Sequence, residues 1–103
     1  MIDFNPTRGH EQAGRRPALI VSADRFNDSP AGLVIVVPMT SQGKGIPWHV
    51  EVNPPEGGLR HRSFIKCEDV RSLTTERLIQ RFGVVSSEIL SAVEDLLRVL
   101  LEL

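Results

Sequence analysis

The sequence predicts an α+β fold, a small antiparallel barrel joined to a single C-terminal helix. Short apolar runs rich in valine and isoleucine alternate with loops dense in glycine and proline, as in compact antiparallel sheets. Only the last stretch, from Ser86 onward, carries apolar residues at helical spacing. At 103 residues the chain is expected to form one domain, 1–103, with one core and not two.

In chain order, Ile2–Asn5 reads as the end of a strand, stopped by Asn5-Pro6-Thr7. Ala18–Ser22 is apolar on both faces, the signature of a central strand. Asp24–Gly32 is dense in turn formers and reads as a mobile loop. Leu33–Val37 is a second buried strand, stopped by Pro38. Trp48–Val52 alternates, with Trp48, Val50 and Val52 inward and His49 and Glu51 outward. Phe64–Cys67 follows as a strand, Thr74–Leu78 as a short helical turn, and Ile79–Val85 as a last strand. In the C-terminal helix Ser86 or Ser87 supplies the cap and Glu88 suits the first turn. Ile89, Val93, Leu96, Leu97 and Leu100 share one face. Leu90, Val99 and Leu101 widen that stripe beyond what one small sheet needs, which suggests a second contact surface.

Composition narrows the function classes. Hydrophobic residues make up 41% and charged residues 24%, ordinary for a globular protein. The single cysteine, Cys67, rules out an internal disulfide and reads as a small buried hydrophobe. No apolar run is long enough for a membrane span, and no signal-peptide pattern opens the chain; a cytoplasmic location is expected. The net charge of −1 argues against a generally sticky nucleic-acid binder. Residues 83–103 hold Glu88, Glu94, Asp95 and Glu102 against Arg98, so the front of the chain is mildly basic.

Two loops concentrate polar chemistry. Thr7–Pro17 packs Arg8, His10, Glu11, Gln12, Arg15 and Arg16 ahead of an apolar strand. Pro17 holds Arg16 extended, and adjacent extended residues point to opposite faces, so only one of Arg15 and Arg16 faces a given cleft. Met39–Gly45 places Thr40, Ser41, Gln42 and Lys44 directly after a buried strand. Functional groups on loops entering rigid strands are a common site architecture.

Together these loops resemble the MazF/PemK family of toxin endoribonucleases from type II toxin–antitoxin operons. The matching runs are Asp3-Phe4-Asn5-Pro6-Thr7-Arg8-Gly9, Glu11-Gln12-Ala13-Gly14-Arg15-Arg16-Pro17-Ala18-Leu19, Val37-Pro38-Met39-Thr40-Ser41-Gln42, Lys44-Gly45 and Asp69-Val70-Arg71-Ser72-Leu73. The resemblance covers essentially the whole chain. It implies a Src-homology-3-like barrel with a C-terminal helix, acting as a homodimer that cuts single-stranded RNA without a metal or other cofactor, and is inhibited by a MazE-like antitoxin. By resemblance the catalytic arginine is Arg16 and the active-site threonine is Thr40, with Glu11 and Gln12 in the same loop. Against the family pattern the first strand is shortened, to Ile2-Asp3-Phe4.

The residues support such chemistry. Cleavage by the RNA's own 2′-hydroxyl needs a proton acceptor, a proton donor and cationic support for the crowded phosphate. Arg16 suits the last task, because a guanidinium forks onto two phosphate oxygens and keeps its charge. Thr40 can add a hydrogen bond there, or simply form a hydroxyl turn at the strand end. For the acceptor, Arg16 itself is a poor base at neutral pH. Glu11 and His10 are the alternatives, and both stay open. Arg8, Gln12, Ser41, Gln42, Lys44 and Arg71 are the candidate RNA contacts. No His/Cys/Asp cluster has metal-ligand spacing, so no metal is expected. Two other functions compete: a CcdB-like gyrase-binding toxin, whose family ends in Trp-Gly-Ile where this chain ends Leu101-Glu102-Leu103, and a catalytically silent barrel that binds a peptide.

Overall fold

The structure is a computed structural model that describes residues 1–3 and 14–103. Its strands are β1 (Ile2–Asp3), β2 (Arg15–Arg16), β3 (Ala18–Ile20), β4 (Leu33–Thr40), β5 (His49–Val52), β6 (Ser63–Lys66) and β7 (Arg71–Thr74). Two helices are α1 (Asp24–Asn27) and α2 (Ser87–Leu101). All pairings are antiparallel: β1 with β2, and β3-β4-β6-β5 with β7 also on β4. The predicted α+β class holds. Among the described residues, however, the sheet stays open rather than closing into a barrel.

The central strand is β4, not the Ala18–Ser22 run. Val37 and Met39 enter one core cluster, with Val52, Ile65, Cys67 and Val93, while Val34 and Val36 enter a second with Ile2 and Leu73. β3 lies at the end of the sheet, and its Ile20 is 41% exposed. Apolarity on both faces marked the wrong strand because β3 gives one side to a cavity instead of a neighbour. Pro38 does not stop β4 either. Met39 N–H donates to Pro17 O at 3.0 Å, so Pro38 directs its nitrogen to the other edge. There β6 and β7 are separated by the 3₁₀ turn Cys67–Asp69. The missing N–H falls in that gap and costs no ladder bond.

Residues 79–86 form no strand among the described residues, contrary to expectation. Leu78 bridges Ile2, Ile79 N–H donates to Met1 O at 3.0 Å, and the Met1 ammonium donates to Gln80 O at 2.8 Å. Beyond them the backbone is wedged at Phe82–Gly83 against Gly57–Gly58, which holds it away from the sheet. The expected helical turn is present as the 3₁₀ turn Thr75–Arg77. The Asp24–Gly32 loop contains α1 and is anchored by the Ser22–Asn27 side-chain hydrogen bond and by Asn27 Nδ2 donating to Ser22 O at 3.1 Å.

The C-terminal helix forms as read. Ser86 Oγ accepts from Ile89 N–H at 3.2 Å, a cap worth about 1 kcal/mol. Ile89, Val93, Leu96, Leu97 and Leu100 pack on the sheet, and Val93 is fully buried. The surplus residues stay outside: Leu90 is 37% exposed, Leu101 53% and Val99 61%. Cys67 is buried in the same core. No helix among the described residues is long and apolar enough to cross a membrane.

Candidate active site

The site is built by strand register. Ala18, Leu19 and Ile20 pair with Pro38, Val37 and Val36. Continued past the Pro17–Met39 hydrogen bond, the same register sets Arg16 opposite Thr40. Thr40 pairs with Phe64, and Phe64 with Glu51. Opposed residues on antiparallel strands point to the same face. Arg16, Thr40, Phe64 and Glu51 therefore form one row across β2, β4, β6 and β5. Arg15 points to the opposite face, as the pre-proline reading requires. Both arginines are exposed.

Thr40 ends β4, and its Oγ1 accepts from Gln42 N–H at 3.1 Å. This is the hydroxyl turn expected at a strand end, and it leaves the hydroxyl hydrogen to donate outward. The turn starts the exposed run Ser41, Gln42, Gly43, Lys44 and Gly45. Gly45 takes φ +64°, a conformation suited to glycine. Gly43 lies against Phe64: a Cβ built there would sit 2.5 Å from Cζ of the ring. The loop is thereby folded back along the row at Gly43, and Lys44 next to it is exposed. Arg71, half-buried, pairs with Val36 four residues down β4 from Thr40, on the same face.

The structure thus brings Arg16 and Thr40 together, with Ser41, Gln42 and Lys44 on the adjoining loop and Arg71 further along the face. Arg8, Glu11, Gln12 and the alternative base His10 lie outside the described residues. Among the described residues no group of three His, Cys, Asp or Glu side chains could hold a metal ion. A cavity of about 470 Å³ lies elsewhere, lined mainly by apolar residues of β3, the 78–85 segment and Leu90.

Two neighbours of the row, Arg62 and Asn53, went unread in the sequence. Arg62 stacks on Phe64, its Cζ 5.0 Å from the ring centroid. Arg62 is also paired with Glu51, whose carboxylate it holds below the usual range, with Asn53 adding a second hydrogen bond. The alternation Phe64–Ile65 on one strand and Glu51–Val52 on the next was the available signal. His49 corrects an expectation: its side chain is not turned to solvent but 4% exposed, with Nε2 3.0 Å from Glu68 Oε2. Among the described residues its Nδ1 is buried without a hydrogen-bond partner. The Cys67–Asp69 turn carries Glu68 into reach of the ring, which sequence alternation cannot show.

Among the described residues, an open antiparallel sheet with a docked C-terminal helix, presenting a guanidinium and a hydroxyl in register on one face, defines a small α+β protein. A family model described as PemK-like, MazF-like toxin of type II toxin-antitoxin system matches residues 1–101. The chain belongs to this family. It is 36% identical to the endoribonuclease MazF9 of Mycobacterium tuberculosis, over 99% of this chain and 91% of the relative. A crystal structure of MazF from Deinococcus radiodurans superimposes with a TM-score of 0.84 at 32% identity, covering 99% of this chain and 90% of that one. A MazE–MazF structure from the same organism gives 0.80 at 33% identity, covering 99% and 89%.

Proposed function

We propose that this toxin endoribonuclease cuts single-stranded RNA at short sequences, by attack of the 2′-hydroxyl on the adjacent phosphorus and without a metal. Placement of Arg16 opposite Thr40 on one exposed face is the observation that carries this reading. The new bond joins the 2′-oxygen to phosphorus, and the bond to the departing 5′-oxygen breaks. The products are a cyclic phosphate and a 5′-hydroxyl. Arg16 forks onto the non-bridging oxygens and supports the charge of the crowded phosphorus. Thr40 donates a hydrogen bond to the same oxygens. Glu11 or His10 takes the 2′ proton, and the departing 5′-oxygen takes a proton from water to become the 5′-hydroxyl. Gln12, Ser41, Gln42, Lys44, Arg8 and Arg71 hold the strand on either side. A CcdB-like binding toxin or a silent peptide-binding barrel would not need the in-register pair.

The toxin acts in the cytoplasm as a homodimer, neutralised by a MazE-like antitoxin. The exposed apolar side chains Ile79, Val84 and Val99 offer surface for the second copy. Arg8, Arg16, Lys44 and Arg71 attract an acidic antitoxin segment as they attract phosphates, and the attraction falls as salt rises.

Incubating purified protein with single-stranded RNA in EDTA tests the activity. Cleavage by the wild type, and cleavage lowered roughly 100- to 1,000-fold in Arg16→Ala, is expected. Cleavage that requires added magnesium would remove the mechanism, and equal cleavage by both would remove Arg16 from it.

A further inference from the structure

The row continues past Thr40 into a stack that the phosphate chemistry does not use. Phe64, directly opposite Thr40, is half-buried, and the tip of its ring is closed by Gly43. One face of the ring is covered by the Arg62 guanidinium at 5.0 Å. In its own plane that guanidinium is held by Glu51: Nε donates to Oε1 at 2.8 Å, and Nη2 donates to the same oxygen. Asn53 Nδ2 steadies the other carboxylate oxygen at 3.1 Å. A planar group fixed at one face and one edge has a single open face, and the Arg62 side chain is 62% exposed.

We propose that the Arg62–Phe64 stack is a nucleobase subsite, in which the base next to the scissile phosphate lies on the open face of the Arg62 guanidinium. Unstacked bases of single-stranded RNA are taken up on aromatic rings and guanidinium planes in this way. The register sets the distance: Arg62 covers the residue paired with Thr40, one nucleotide's reach from a phosphate held by Arg16 and Thr40. A larger ring system overlaps the plane more fully, so purines are preferred at this position. The inference rests on the Arg16–Thr40 reading for its placement, but stacking itself can be measured without cleavage.

Two readouts test it, on wild type, Arg62→Ala, Arg62→Lys and Phe64→Leu, with thermal unfolding confirming that each is folded. The first is the cut-site profile on a single-stranded RNA library with randomised positions. Arg62→Ala is expected to flatten one position flanking the cut and to lower kcat/KM roughly ten- to a hundredfold, through KM. Arg62→Lys keeps the charge but not the plane, so it should resemble Arg62→Ala. Phe64→Leu should fall between. The second readout is binding of uncleavable 2′-O-methyl oligo(A) and oligo(U), where Arg62→Ala should erase a preference for oligo(A). An unchanged profile and unchanged oligo(A) preference would overturn the proposal. So would full rescue by Arg62→Lys, which would make Arg62 a phosphate contact, or loss of acidic-peptide binding alone. If the wild type cuts no RNA, the catalytic reading fails, and the binding arm still decides the stack.

Discussion

Arg16 and Thr40 stand opposite each other on neighbouring strands, one residue beyond the 3.0 Å hydrogen bond from Met39 to Pro17. Neither side chain has to be brought there by a folding loop. Pro17 keeps Arg16 extended, and the ladder below fixes the register, so the pair is positioned before any substrate arrives.

Arg16→Ala and Thr40→Ala should therefore each lower RNA cleavage by roughly 100- to 1,000-fold, with little loss of Tm, because Arg16 is exposed and Thr40 is only half-buried at the end of its strand. Arg15→Ala, on the opposite face, should cost far less. Initial rates and thermal unfolding of the three variants check this. Arg15→Ala proving the most damaging would contradict the register.

Gly43→Ala should unseat the Ser41–Gly45 loop. The added Cβ would meet Cζ and Cε2 of Phe64 at 2.5 and 2.7 Å, so the loop or the ring has to move. Tm should fall while the core stays folded. Phe64→Leu in the same chain should restore part of that Tm by making room, and a double variant less stable than the sum of the two single changes would contradict this contact.

Much of this architecture was legible beforehand, and the misreadings share a cause. The Arg16–Pro17 step, the Ser86 cap and the Ile89–Leu100 stripe are local patterns, and they formed as read. Pro38 looked like a stop because its missing N–H is visible in sequence, whereas the gap opposite it, made by the Cys67–Asp69 turn, is not. Ile79–Val85 looked like a strand because apolar residues cluster there. Whether such a run pairs depends on Gly57 and Gly58, more than twenty residues earlier, against which Phe82–Gly83 packs. His49 lies on the same face as Glu51, as alternation places it, but there its side chain is covered and bonded to Glu68. The Arg62–Phe64–Glu51 assembly joins two strands and a loop, so no single window contained it.

Gly58 carries the tightest of these long-range contacts. It takes φ +71°, and a Cβ there would collide with the Phe82 carbonyl oxygen. Gly58→Ala should destabilise the chain by about 1–3 kcal/mol, read by denaturant unfolding. Val84→Ser, at a side chain 70% exposed, should change monomer stability by less than about 0.5 kcal/mol. A neutral Gly58→Ala would contradict the close packing of the two segments.

Burial pushes the Cys67 thiol up to about 11, and the Glu68 carboxylate adds to the effect. The folded chain thus favours the protonated thiol. That advantage is complete below the unfolded value of 9.0 and is lost as pH rises toward 11. The stability gap between wild type and Cys67→Ala should narrow over this interval, measured by unfolding at matched pH values. A gap constant from pH 8 to 11 would contradict the burial of the thiol.

The central claim, cleavage by the RNA's own 2′-hydroxyl on the Arg16–Thr40 face, is tested most directly by the chemistry of the cut ends. Mass spectrometry of a short single-stranded RNA cleaved in EDTA should show a cyclic phosphate on the upstream fragment and a 5′-hydroxyl on the downstream one. A 5′-phosphate with a free 3′-hydroxyl would mean that water, not the ribose, attacks phosphorus, and would contradict the account.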